Sequence, residues 1–433
     1  MDRIVINGGK RLNGTVSISG MKNAALPIVF ASIVTGAECI IENIPPVNDV
    51  LMALEIIREM GAEVEFTDIF QTTVRINSAN IKPCSAPDDM VAKIRGSIYL
   101  AGAELGRFGH SSVALPGGCN FGKRPIDQHE KAFRTLGADV VSDDKRITCS
   151  APEGLRGATV YFDIVSVGAT INAMIAAVRA EGVTVLEGAA REPHIVDVAN
   201  FLNTCGANIS GAGTDTIKIR GVRELHGCDC YTIIPDMIEA GTYMAAVAAT
   251  GGCVRVENII PKHMDIISSK LSEMGAFIEE DDDAITVTVN KRLRAVNIKT
   301  APYPGFPTDM HPQFSALFTT CDGVSEMNET VFEQRFRYVD ELRKMGAVIN
   351  INGKTARIAG VNRLSGATVK AVDLRAGAAM IIAGLAAEGE TVITDVESIQ
   401  RGYANIVNNF RALGADIEDI GYAVHIFNED QTD

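Results

Sequence analysis

The chain has 433 residues, 54 acidic against 40 basic, and a formal net charge of -14. That balance excludes a general binder of nucleic acid or of anionic membrane, which needs broad surplus basic surface, so an anionic ligand must meet a local basic pocket. The length exceeds one ordinary core and predicts two domains, and the opening MDRIVINGGK lacks a basic stretch followed by an apolar run, which predicts a cytoplasmic protein with no export signal.

The first residues, RIVINGG, read as a strand, and a small-residue helix starts at MKNAALP. A strand, CIIENI, follows, then the amphipathic NDVLMALEIIREM with apolar Leu51, Leu54 and Ile57, which ends at Gly61. This sequence of elements recurs. EMGAEVEF, TLGADVVS, TCGANISG, EMGAFIEE, KMGAVINI and ALGADIED each join an apolar helix end to a glycine, an alanine and an extended run. Their glycines, 61, 137, 206, 275, 346 and 414, are spaced by 76, 69, 69, 71 and 68 residues, so the chain is six units of about seventy. Each glycine suits a helix C-terminus leading into a strand.

The second unit opens at IRGSIYL and the third at VGATINAMIAAV, with the strand GVTVLEG after it. AGTYMAAVAAT with CVRVENI, and AGAAMIIAGLAAEG with TVITDV, mark the fourth and sixth units. Helices this apolar on every side should be buried, and these runs are too short and interrupted to span a membrane. Three units per domain predict residues 22–233 as one domain and residues 1–21 with 234–433 as the other, the first strand pairing with the last units.

Counting back from each glycine to the start of the buried helix gives Lys22, Arg95, Val167, Asp236, Asp309 and Arg375. Aspartate can cap a helix N-terminus, but Lys22, Arg95 and Arg375 oppose the helix dipole. Cations placed so make sense if the helix N-termini gather around an anion, where free amides and basic side chains act together. Val167, flanked by Ser166 and Gly168, leaves backbone amides open. Thirteen residues before the glycine, in the linker to the amphipathic helix, stand Arg124, Lys262 and Arg401 in the second, fourth and sixth units.

The nine cysteines, at 39, 84, 119, 149, 205, 228, 230, 253 and 321, show no paired spacing and read as reduced thiols, mostly small core residues. Cys228 and Cys230 lack the further ligands of a zinc site, so no metal is expected. Cys119 differs. It lies in ALPGGCNFGKRPID, where glycines allow loop motion and Lys123 and Arg124 favour a reactive thiol or a bound anion.

These segments, together with VSVGAT at 165–170, AREPHIVD at 190–197, FPTDM at 306–310, NETVFEQRF at 328–336, DLRAGA at 373–378 and RGY at 401–403, resemble the UDP-N-acetylglucosamine 1-carboxyvinyltransferases of the enolpyruvyl transferase family, from end to end. The resemblance implies an α/β fold of two inside-out α/β barrels, three repeats in each. It implies transfer of the enolpyruvyl group of phosphoenolpyruvate to the 3-hydroxyl of UDP-N-acetylglucosamine with release of phosphate, in peptidoglycan synthesis, with no cofactor, no metal, and small-molecule partners rather than nucleic acid, membrane or an inferable protein.

By the same resemblance the catalytic residues are Cys119, Asp309, Lys22 and Arg401, with Cys119 as proton donor and target of fosfomycin, and Asp309 as base. Phosphoenolpyruvate would be held by Lys22, Asn23, Arg95, Cys119, Arg124, Arg375 and Arg401. The nucleotide sugar would meet Asn23, Arg95, Arg124, Pro125, Ile126, Asp127, Gln128, Ser166, Val167, Gly168, Asp309 and Val331. So many cations should repel one another in an empty cleft and draw it closed around an anion.

Two positions depart from the family pattern: Ile164, where a lysine is frequent, puts a diphosphate contact in doubt, and His311 lies beside the expected base. Glu333 and Arg335 read as structural. An enolpyruvylshikimate-phosphate synthase would share the fold but not the LPGGC loop, and a noncatalytic nucleotide-sugar sensor would be expected to lose Cys119, Asp309 or a cation.

Overall fold

The computed structural model describes residues 2–115 and 125–421. All six repeat glycines have φ between +90° and +108°. At Gly137, Gly275 and Gly346 an added Cβ would meet nothing within 4 Å, so the left-handed backbone, not crowding, calls for glycine there.

The buried helices Lys22–Thr35, Tyr99–Phe108 and Val167–Ala177 pack on one another, and Met237–Thr250, His311–Phe318 and Leu374–Ala386 form a second trio. Alanine and glycine let these backbones approach closely. A Cβ on Gly102 would lie 2.2 Å from Asn172 Oδ1, which instead accepts the Gly102 amide at 2.8 Å. The amphipathic helices Asn48–Glu59, Asp127–Thr135, Pro193–Thr204, Asp265–Met274, Val339–Lys344 and Ile406–Ala412 complete the units. In Asn48–Glu59, Leu54 and Ile57 are buried and Leu51 is half-buried.

Among the described residues six sheets, one per unit, accompany the helices. Three are built from strands within residues 38–232 and three from strands within 3–17 and 252–420. In four of them the strand that follows the buried helix pairs antiparallel with a hairpin strand and parallel with a strand from a neighbouring unit, as where Gly252–Glu257 runs beside Leu12–Ser17. Arg3–Asn7 lies antiparallel between Glu390–Thr394 and Asp416–Ile420.

The chain passes between the two sets of sheets at two adjacent strands. Met21 donates its amide to Ile234 O at 2.7 Å and Asp236 to Ser19 O at 2.9 Å. Gly20 sits so close to Asn43 that a Cβ would fall 1.6 Å from its carbonyl oxygen. This crossing brings helix starts from both trios to one region. Among the described residues no helix is long and apolar enough to cross a membrane.

Candidate active site

Lys22 is the first residue of its helix, buried, and no side chain caps that N-terminus. Its ammonium donates to Asp49 Oδ2 at 3.0 Å. Asp49, in the first turn of Asn48–Glu59, also accepts from Arg401, Nε to Oδ1 at 2.8 Å and Nη2 to Oδ2 at 3.3 Å. Beside this pair Asn48 Nδ2 donates to Gln400 Oε1 at 3.1 Å. Burial works against the Asp49 charge, but Lys22 and Arg401 outweigh it and lower the pKa.

A second carboxylate, Asp309, lies in the turn Thr308–Met310 that opens the fifth buried helix. Arg335 Nη2 donates to its Oδ1 at 2.8 Å and Arg375 Nη2 to its Oδ2 at 3.3 Å. Both arginines are buried, whereas the Asp309 side chain is 28% exposed. Burial would raise its pKa, yet the guanidiniums of Arg375 and Arg335, with Lys22, hold it well below the carboxylate range. Arg335 is set by Thr308, whose hydroxyl accepts from Nη1 and donates to Glu329 Oε2 at 2.7 Å.

Arg375 is the second residue of Leu374–Ala386, whose N-terminus is capped by Asp373 Oδ1, accepting from the amides of Arg375 and Ala376 at 2.9 Å. Its guanidinium lies 5.4 Å from the Tyr403 ring centroid. Nε and Nη1 are buried and make no hydrogen bond among the described residues. Two such donors beside a carboxylate suit an anionic ligand.

In the third unit Ser166 Oγ caps its helix by accepting the Ala169 amide at 3.3 Å. By helix geometry the amides of Val167 and Gly168 then point outward without intrahelical partners. Facing them is His129, whose Nδ1 accepts from Asn172 Nδ2 at 3.0 Å. The Asn172 amide is oriented by Ile98 O and the Gly102 amide, so the remaining proton of the neutral imidazole sits on Nε2. A Cβ on Gly168 would be 3.2 Å from that atom. Burial, then Arg95, lower the His129 pKa to about 3.

A model of the family described as EPSP synthase (3-phosphoshikimate 1-carboxyvinyltransferase) matches residues 6–410. A UDP-N-acetylglucosamine 1-carboxyvinyltransferase of Clostridium acetobutylicum is 54% identical over 96% of this chain and 99% of its own. One from Caldanaerobacter subterraneus is 52% identical over the same shares. The chain belongs to the UDP-N-acetylglucosamine 1-carboxyvinyltransferase family.

Among solved structures, the enolpyruvyl transferase NikO of Streptomyces tendae superposes with a TM-score of 0.87 at 27% identity, covering 97% of this chain and 99% of its own. An EPSP synthase of Acinetobacter baumannii gives 0.74 at 18% identity, covering 97% and 100%, and shows the shared fold alone. The fold is thus the two-domain enolpyruvyl transferase fold that the resemblance implies.

The candidate residues of this family member are distributed as follows. Lys22 and Arg401 meet through Asp49, and Arg375 meets Asp309. Asn23 is the second residue of the first buried helix and Arg95 opens the turn Arg95–Ile98. Pro125, Ile126 and Asp127 lead into Asp127–Thr135, with Pro125 and Asp127 exposed. The Gln128 side chain is engaged by Asp163, whose amide donates to Oε1 at 3.0 Å. Val331 gives its amide to Glu329 Oε1 at 2.7 Å, leaving its carbonyl and half-exposed side chain. Cys119 and Arg124 lie outside the described residues.

Several expectations change. The cations do not simply repel one another, because Asp49 and Asp309 neutralise them in pairs. Asp49 escaped the residue count because it stands one place after Asn48, the first unit's counterpart of Arg401. Arg335, read as structural, touches Asp309 directly. It too lies two residues beyond its unit's counterpart, Glu333. Lys262, the fourth unit's counterpart, is 81% exposed and paired with Asp265. Asp236 is an N-cap, accepting the Ile238 amide at 2.7 Å. His311 is enclosed beside Phe336 and Tyr338, its pKa lowered by burial and then by Arg335, so it adds no charge behind Asp309. Ile164 is 58% exposed.

Proposed function

We propose that this protein transfers the enolpyruvyl group of phosphoenolpyruvate to the 3-hydroxyl of UDP-N-acetylglucosamine, releasing phosphate, the first committed step of peptidoglycan synthesis. The observation that carries the reading is the Arg375–Asp309 arrangement: a partly exposed carboxylate beside a buried guanidinium with two unengaged donor atoms. The names of relatives at 52–54% identity support the acceptor.

Phosphoenolpyruvate carries a phosphate and a carboxylate close together. Lys22, Arg124 and Arg401, with Asn23, Arg95 and Arg375, supply its countercharge and fix its geometry. In doing so the anion competes with Asp49 for Lys22 and Arg401. It also draws on Arg375, which weakens the field that holds Asp309 acidic and makes that carboxylate a better base.

Asp309 then takes the proton of the sugar 3-hydroxyl as its oxygen bonds to C2 of the enol, and Cys119 delivers a proton to the C3 methylene. Loss of a C3 proton and breakage of the C2–O bond to phosphate restore the double bond in the product. The Cys119 thiolate can also add to C2, giving a phospholactoyl adduct. The main-chain groups of residues 124–128 and 166–168, with His129 Nε2–H behind Gly168, hold the nucleotide. Asn23, Arg95 and Val331 complete the sugar's surroundings. Arg335 positions Asp309.

We assign residues 22–233 to one domain and residues 1–21 with 234–433 to the other, a division supported by the separate strand sets of the sheets. We place the protein in the cytoplasm, for which the eight described cysteines, all free thiols, speak.

The deciding experiment is phosphate release from phosphoenolpyruvate with UDP-N-acetylglucosamine, beside shikimate 3-phosphate as competing acceptor, repeated with Cys119→Ser. Release with the nucleotide sugar alone, strongly reduced in the variant, is expected. Release with shikimate 3-phosphate instead, or with neither acceptor, refutes the reading.

A further inference from the structure

Away from the candidate active site, three thiols from distant parts of the chain converge. Cys39 is in strand Glu38–Glu42, Cys228 begins the parallel strand Cys228–Thr232 as its direct register partner, and Cys205 caps the C-terminus of Pro193–Thr204. All three are buried, and their Sγ atoms lie within 4.8 Å of one another. We propose that Cys39, Cys205 and Cys228 form a thiolate site for a soft d10 cation, Zn2+ or Cu+, filled as the chain folds.

The backbone holds the three sulfurs together without a ligand. Gly227, next to Cys228, approaches Glu38 so closely that a Cβ would fall 1.8 Å from its carbonyl oxygen. The His226 amide donates to Cys205 O at 2.9 Å, which ties the same segment to the helix end. A trigonal site with metal–sulfur bonds of about 2.3 Å needs sulfurs about 4 Å apart, so each pair has less than about 1 Å to close. Thiolate is the ligand that selects zinc and cuprous ions over harder cations.

Binding replaces thiol protons: the cation forms up to three metal–sulfur bonds as up to three S–H bonds release their protons to solvent, with no change of oxidation state. The Thr35 hydroxyl, 3.8 Å from Cys39 Sγ, adds a further polar group at the site. Strand alternation would put Cys230 on the same face as Cys228, but the register shifts between Cys228 and Tyr231, and Cys230 is exposed.

The test is metal binding by the full chain, refolded under reductant with Cd2+, Zn2+ or Cu+ and freed of loose metal on a chelating column. Cd2+ is read by its thiolate charge-transfer absorption, and all three by metal analysis. The exposed Cys84, Cys230 and Cys253 are replaced by serine throughout, so that they contribute nothing.

One equivalent of Cd2+ with the absorption band is expected, itself able to displace Zn2+, and lost in Cys205→Ala and in Cys228→Ala. Loading should raise the unfolding midpoint of the intact chain but not of the variants. Turnover should be unchanged in either variant. If the alanine variants fold poorly, Cys205→Ser and Cys39→Ser keep the volume and remove the thiolate. No retained equivalent of any of the three metals, or an equivalent that the variants retain, overturns the proposal.

Discussion

Two clusters of the same composition, cation–carboxylate–cation, sit in this molecule and differ in what surrounds the carboxylate. Asp49 is enclosed, with both oxygens taken by Lys22 and Arg401, and Arg401 stands 352 positions from it in the chain. Asp309 has two buried arginines but keeps an exposed edge, and among the described residues Arg375 keeps two donors unengaged. The enclosed cluster ties the two ends of the chain together through cations that an anionic substrate would contest, and the half-open one keeps an edge and donors for a ligand. The charges alone do not distinguish them; solvent access and spare hydrogen-bonding capacity do.

Asp309→Ala should break the comparison most sharply. If Asp309 is the base, turnover falls by about 10²–10⁴-fold while phosphoenolpyruvate still binds, measured by steady-state kinetics beside equilibrium binding. Turnover near the parent value removes Asp309 from the mechanism.

Asp49→Asn should act on stability instead. It leaves the buried Lys22 and the partly exposed Arg401 without their carboxylate, and urea unfolding should show a loss of about 1–3 kcal/mol. Because the anion no longer competes with Asp49, phosphoenolpyruvate should bind more tightly to this variant. Weaker binding with unchanged stability would show that Asp49 is no such tie.

The pH dependence of stability sharpens the distinction further. Asp49 ionises below the unfolded aspartate value of about 3.9, so its stabilisation is present above that pH and is lost as pH falls through the folded value. The Asp49→Asn substitution should therefore flatten the acid limb below about pH 4. His129 acts in another window: neutral in the fold down to about pH 3, it opposes folding as pH falls below about 6.5, where the unfolded imidazole takes up a proton. His129→Gln should flatten that upper window while leaving the limb below it. Equal slopes in parent and variant would contradict the buried neutral state.

The smallest effect belongs to Lys262→Ala. This residue has the repeat position of Arg401 but stands in solvent with Asp265, so kcat/KM and stability should match the parent within error. A tenfold loss would place it in the cleft.

The same contrast shows why part of the site was legible and part was not. Lys22, Arg95, Asp309 and Arg375 stand out because each opposes or opens an apolar helix 37 to 42 residues before a repeat glycine. Asp49 and Arg335 sit one and two residues past the repeat column that contains Arg124, Lys262 and Arg401, in units where that column holds Asn48 and Glu333. Their meaning depends on the opposite charge that reaches them, Asp309 for Arg335, and for Asp49 both Lys22 and Arg401, the latter from the other end of the chain. The Cys39–Cys205–Cys228 cluster was hidden for the same reason, having no short spacing to betray it.

By itself, then, the sequence determined the six-unit repeat, the left-handed glycines that end its helices, the buried apolar helices and the family, because these depend on residues close together in the chain or recurring at a fixed period. Only the tertiary structure decided which charges meet, which carboxylate keeps an open edge and which thiols converge. Coulomb energy, desolvation and hydrogen-bond geometry vary over a few ångström, and packing sets those distances between residues that the chain order keeps tens to hundreds of positions apart.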